Sequence, residues 1–230
     1  MKGIVLSGIK YTDNQDIIYL YTDQKGRRTY ILNRQKKGNR LFPLSLIDFE
    51  SSGRQNAEIQ YLKEFVFSPL LLEISTDVRK SSIAMFIGEF LYKVLKDEDS
   101  SSVLFEYISN SICLLDMLRD GVSNFHLYFM VQLSKYMGFS ILANKSDYDY
   151  FDIKYCKFVF TQPLHPQYFD KENTKILSHL LILPSNQLNR LKLTGEQRIN
   201  FANCMLDFYS SRFDHTLIIK SLNVLHEIFN

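Results

Sequence analysis

The sequence has no tryptophan, three cysteines, five prolines and nine glycines in 230 residues, and each scarcity excludes something. Collagen-like and Pro/Gly-rich low-complexity chains are ruled out. Cys113, Cys156 and Cys204 stand 43 and 48 residues apart, so no CxxC pair exists to found a zinc or redox centre, and reduced thiols are expected. His126, His165, His179, His215 and His226 form no HExxH or other close ligand pair, so no metal is expected. Long apolar runs are missing too: residues 65–72 are interrupted by Ser68 and Pro69, well short of the ~20 residues a membrane span needs. The first six residues turn polar at Ser7-Gly8, too early for a signal peptide, and a cytoplasmic protein is expected. No GxxxxGK[ST], GxGxxG or GxSxG motif anchors nucleotide hydrolysis, dinucleotide chemistry or an elbow serine. Asp97, Glu98 and Asp99 cluster among charged neighbours at a helix exit, where nothing apolar would raise a carboxylate pKa. These absences lead to the expectation of a non-enzyme without a cofactor.

What is present is a 46% apolar chain with 23% charged residues, rich in Phe (18) and Tyr (14), and long enough for one large domain or two small ones. Its net charge of +2 is unevenly spread: 13 Lys/Arg against 9 Asp/Glu stand in residues 1–80, and 14 against 16 thereafter. Residues 25–40 read KGRRTYILNRQKKGNR, with Lys25, Arg27, Arg28, Arg34, Lys36, Lys37 and Arg40 and no acid. Tyr30 lies among these cations, and Tyr19 and Tyr21 precede them. Cations that neutralise phosphates, interleaved with rings on which bases stack, are what a single-stranded nucleic-acid surface requires. A solvated strand-and-loop surface would read the same way.

Short β-branched and aromatic segments at 3–10, 16–22, 28–32, 44–50 and 59–67, separated by Asn-, Asp-, Ser- and Gly-containing turns, predict five strands. A barrel of this size is of the OB type, although an SH3-like barrel would give a similar pattern. Beyond Pro69 the period changes. Ile83, Phe86, Ile87, Phe90, Leu91, Val94 and Leu95 form one helical stripe, predicting a helix over 78–96. Further helices are predicted over 101–118, capped within Ser100 to Ser102, and over 122–137, closed by Gly138. Residues 139–170 predict irregular chain with a short β pair, and helical patterns resume over 175–181, 194–212 and 216–229. The expected fold is α+β: a five-stranded barrel in residues 1–75, then an all-α domain in residues 76–230.

Several stretches, taken in order, resemble the bacterial recombination mediator family RecO. Gly3-Ile4-Val5-Leu6, Tyr11, Asp16, Tyr21-Thr22 and Gly26 are similar to its first barrel hairpin. The basic segment from Arg34 to Arg40 leads into Leu41-Phe42-Pro43-Leu44, like that family's basic loop and Leu-x-Pro strand entry. Phe86-Ile87-Gly88-Glu89-Phe90-Leu91, Leu104-Phe105-Glu106-Tyr107, Phe125-His126-Leu127 through Gly138-Phe139, and Ile219-Lys220-Ser221-Leu222 with Val224-Leu225 resemble its helices. The resemblance implies an OB-fold and a helical domain, binding of single- and double-stranded DNA, and annealing of complementary strands. It also implies RecR and the acidic tail of the single-strand binding protein as partners, loading of RecA in the RecF pathway, and association with the nucleoid. Two departures stand out. Many members carry a four-cysteine zinc module where 139–170 holds only Cys156, and some carry arginines where Ser123-Asn124 stand here.

The expected nucleic-acid track is therefore Lys25, Arg27, Arg28, Arg34, Lys36, Lys37 and Arg40 with Tyr30 as a stacking ring, and Arg119, Lys135 and Lys93 are expected at a partner-binding rim. An RNA-binding OB module with a helical scaffold role would use the same track. An enzyme assembled from scattered residues in 139–170 would find its best footing at His165 and Asp170.

Overall fold

A computed structural model describes residues 1–33, 40–53, 57, 59–96, 100–143, 148–213 and 215–229. These fall into two compact units, Met1–Met117 and Leu118–Asn230.

In the first unit, β1 (Lys2–Lys10), β2 (Gln15–Thr22), β3 (Gly26–Asn33), β4 (Leu46–Ser52) and β5 (Ile59–Phe67) close a barrel in the order β1-β2-β3-β5-β4. The β3–β5 seam is parallel and the others are antiparallel. This is the five-stranded OB-type barrel expected from the strand spacing. Alternation along each strand sends Val5, Ile18, Leu20, Tyr30, Ile47, Phe49 and Leu62 into one core. Leu44 follows Pro43 with φ +66°, a left-handed conformation that costs a leucine strain but leaves its side chain fully buried. Its N–H donates to the Val5 carbonyl at 2.7 Å, tying the loop before β4 to β1.

Helices α1 (Leu72–Thr76), α2 (Val78–Val94) and α3 (Ser102–Met117) belong to the same unit. Asp77 caps α2 by accepting from the Arg79 N–H, and the Ser101 hydroxyl accepts from the Leu104 N–H at the start of α3. The apolar stripe of α2 is buried as its spacing predicted. Gly88 sits where α2 meets β1: a Cβ built there would lie 2.4 Å from the Leu6 carbonyl oxygen. Lys80, only 3% exposed, donates from Nζ to the Asp116 carbonyl at 2.6 Å, while the Asp116 carboxylate accepts from the Ile74 N–H. One lysine and one aspartate thus tie α1, α2 and α3 together, satisfying polar groups the helix ends would leave orphaned.

The second unit comprises α4 (Phe125–Tyr136), a three-stranded sheet of β6 (Tyr150–Asp152), β7 (Lys157–Val159) and β8 (Tyr168–Phe169) in the order β7-β6-β8, and α5 (Lys171–Ile182), α6 (Gly195–Phe213) and α7 (Ser221–Ile228). Gly138 ends α4 with φ +84°, and the Phe139 N–H reaches back to the Ser134 carbonyl, a Schellman closure. The buried Asn124 amide donates to the Leu188 and Leu191 carbonyls, and Tyr209 Oη donates to the Met130 carbonyl, fixing the entry and middle of α4. The segment expected to be mostly irregular carries all three of these strands. The rings of Phe158, Phe169 and Phe208 surround Phe151 and hold this sheet on α6. Among the described residues, no helix is long and apolar enough to cross a membrane.

Candidate nucleic-acid interface

Strand β3 carries the first part of the basic segment, and its register decides where each side chain goes. Arg27, Thr29 and Ile31 stand opposite Tyr21, Tyr19 and Ile17 of β2, whereas Arg28 and Tyr30 stand opposite the core residues Leu20 and Ile18. Tyr30 is accordingly buried, with its ring edge-on to Phe49 at 5.2 Å. Burial pushes its phenol pKa up, and the Arg28 charge pulls the other way. The expectation that Tyr30 offers a stacking face is corrected: the ring belongs to the core because its register partner does. Tyr21 is also fully buried, against Phe105 of α3. Tyr19 is half-buried against Tyr92 of α2, with ring centroids 4.7 Å apart.

The cations differ as well. Arg27 lies over the Tyr92 ring, 4.7 Å from its centroid, and donates to the Tyr92 carbonyl in the last turn of α2. Lys25 is half-buried in the β2–β3 turn, its backbone N–H donating to Thr22 Oγ1. Arg28 is half-buried and Arg40 exposed. Arg34, Lys36 and Lys37 lie outside the described residues, as do Asp97, Glu98 and Asp99.

Other rings occupy the open face. Tyr61, 46% exposed, stands opposite Ile31 in the β3–β5 register, and exposed Ile59 stands opposite Thr29. Lys63 follows on β5, and exposed Tyr11 sits in the β1–β2 loop, where Lys10 pairs with Asp13 at 2.8 Å. Sequence reasoning passed over these residues, although the signal was there: Leu62 is a core residue, so strand alternation turns Tyr61 and Lys63 outward. In an OB barrel the face of strands 2 and 3, with the loops joining strands 1 to 2 and 4 to 5, is the surface that takes oligonucleotides.

Comparison with known proteins decides the relationship. The family described as "Recombination protein O C terminal" matches residues 75–216. The chain belongs to the RecO family. It is 33% identical to the DNA repair protein RecO of Azobacteroides pseudotrichonymphae genomovar. CFP2, over 100% of this chain and 98% of that relative. It is 36% identical to the DNA repair protein RecO of Bacteroides fragilis, over 99% of this chain and 98% of the relative. A more distant RecO, from Flavobacterium johnsoniae, is 28% identical over 100% of this chain. Membership of the RecO family gives the chain a role in DNA repair and recombination.

The expected partner-rim residues fall in different parts of the chain. Lys93 is exposed in the last turn of α2 in the first unit. Arg119 and Lys135 are exposed in the second, where Lys135 Nζ donates to Gln132 Oε1 at 2.6 Å. His165 and Asp170, the footing of the enzyme alternative, both have structural partners. His165 Nε2 lies 3.2 Å from Asp152 Oδ2, and Asp170 caps α5 by accepting from the Asn173 N–H. Among the described residues no group of three His, Cys, Asp or Glu side chains is placed to hold a metal ion.

Proposed function

We propose that this RecO protein is a recombination mediator that binds single- and double-stranded DNA through its barrel and anneals complementary strands. With RecR, it helps load RecA onto DNA coated by single-strand binding protein. The observation that carries the reading is the position of the basic segment: it begins on β3 of a closed OB barrel and runs on through Arg40, and Tyr61 and Ile59 stand outward on the parallel neighbour β5. Lys25, Arg34, Lys36, Lys37 and Arg40 supply the charge that neutralises phosphate, and Tyr61 supplies the ring. Arg27, engaged by Tyr92, supports the strand that carries them. Annealing then needs no bond chemistry: neutralising both backbones removes the repulsion that slows pairing, and the bases select each other. Arg119 and Lys135 of the second unit, or Lys93 of the first, would contact the acidic tail of the single-strand binding protein. A DNA mediator of this kind would act in the cytoplasm, on the nucleoid.

Fluorescence anisotropy of a labelled single-stranded oligonucleotide tests the reading, with a Lys36→Glu/Lys37→Glu/Arg40→Glu variant shown by circular dichroism to be folded. Three to five phosphate contacts give a log–log salt slope of about −2 to −3.5 in the wild type. The variant is expected to lose most of the affinity and to anneal complementary strands slowly. Undiminished affinity in the folded variant, or RNA preferred to DNA of the same sequence, would overturn the assignment.

A further inference from the structure

The hairpin formed by β6 and β7 in the second unit ends in Ile153, Lys154, Tyr155 and Cys156, and its tip is built rather than loose. Arg212 of α6 donates to the Ile153 carbonyl at 2.6 Å, and the Cys156 N–H donates to the same carbonyl. Cys156 closes the turn with φ +51°. Asp152, the acid nearest the tip, is buried; it accepts from the Tyr155 N–H and pairs with His165. The negative charge is therefore turned inward and occupied. What remains outside is Tyr155, 60% exposed, with Lys154 Nζ 5.4 Å and Lys157 Nζ 5.3 Å from its ring centroid. At the far end of β7, Phe160 is 62% exposed and stacks on Tyr148 at 4.4 Å.

We propose that this hairpin is a second single-stranded nucleic-acid contact, in which Tyr155 stacks a base while Lys154 and Lys157 meet the flanking phosphates. An exposed ring on a rigid turn loses little freedom when a base covers it, and the two lysines, whose ammonium groups lie over the ring in the free protein, swing off it to the charges a nucleotide carries on either side of its base. Phe160 offers a further open ring beyond the strand. The site belongs to the second unit, and it stands whether or not the barrel residues named above prove correct. In an annealing protein a second contact provides a place for a second strand.

Because the chain contains no tryptophan, Tyr155→Trp gives it a single indole reporter at the tip. Titration with oligothymidine is expected to quench its emission saturably, since a stacked base quenches indole fluorescence. In anisotropy, Tyr155→Ala is expected to weaken oligothymidine binding about 5-fold or more. Lys154→Glu/Lys157→Glu is expected to make the salt slope shallower by about 1.4, two contacts at about 0.7 each. The Lys36→Glu/Lys37→Glu/Arg40→Glu background should leave the quenching at the hairpin in place at higher protein concentration, which separates this site from the barrel. Unquenched emission while anisotropy reports bound oligonucleotide would overturn the proposal. So would a response to an acidic peptide in place of DNA, which would make the tip a protein-docking surface.

Discussion

Arg27 and Tyr92 join the barrel to α2: the guanidinium lies over the ring, 4.7 Å from its centroid, and donates to the carbonyl of the same residue. That carbonyl belongs to the last turn of the helix, where carbonyls have no intrahelical partner and the dipole favours a cation. Tyr19 of β2 packs on the same ring. A residue that in sequence is one of seven basic residues thus has a structural task of its own.

Arg27→Ala is accordingly expected to lower stability by about 2 kcal/mol, combining a charged hydrogen bond with a cation–π contact. Tyr92→Leu should cost less through this contact, because the carbonyl remains available to the guanidinium. Urea unfolding of both variants and of the double variant measures this. A neutral Arg27→Ala, with a fall in DNA affinity as large as for Arg40→Ala, would return Arg27 to the DNA track.

Gly88→Ala reverses the usual sign. In an exposed helix interior, replacing glycine by alanine stabilises by roughly 1 kcal/mol. Here the new Cβ would meet the Leu6 carbonyl oxygen at 2.4 Å and Pro43 Cβ at 3.3 Å, so α2 must lift from β1. A loss of about 1–3 kcal/mol is expected, in the range of overpacked cores. A thermal melt that rises on this substitution would show that the helix can shift at little cost.

Lys80→Met keeps an unbranched apolar stem in a buried site but leaves the Asp116 carbonyl without the ammonium that donates to it at 2.6 Å. The expected loss is about 1 kcal/mol, that of a hydrogen bond to a half-buried acceptor. Lys80→Ala should cost more, because the stem packing goes too. Equal losses in chemical denaturation would assign the whole effect to the lost hydrogen bond, and an unchanged Lys80→Met would assign it to packing.

The barrel was legible because five short segments with turn residues between them leave few closed arrangements, and α2 because its stripe runs over three turns. The fate of individual side chains was harder to read. Tyr30 was expected outside, and it lies inside, because a one-residue difference in register exchanges the two faces of a strand and nothing local to residues 25–33 sets that register. Tyr61 could have been found from the core position of Leu62, once β5 was taken as half-buried. α1 has five residues and β6 and β7 three each, too few for a period to show. Nothing local to Lys80 signals its burial, which depends on Asp116, 36 residues later.

His126 gives the clearest pH dependence. It is buried on α4 facing Arg198, beside His226 and Phe229, and burial followed by the Arg198 charge pushes its pKa down from 6.5 to about 3. Between those two values the unfolded chain binds a proton that the folded chain refuses, so folding stability falls as pH drops through this window and is level above it. From pH 7 to pH 5 this one group contributes a loss of about 2 kcal/mol, at roughly 1.4 kcal/mol per unit once the unfolded histidine is charged. Carboxylates such as Asp207, whose pKa burial raises, act with their own signs in the same range. The comparison is therefore between the wild type and His126→Gln, which keeps a polar amide and cannot titrate. Urea unfolding at both pH values should show the wild type losing about 2 kcal/mol more than the variant. Identical losses would mean that the imidazole is protonated in the folded protein near its ordinary pKa.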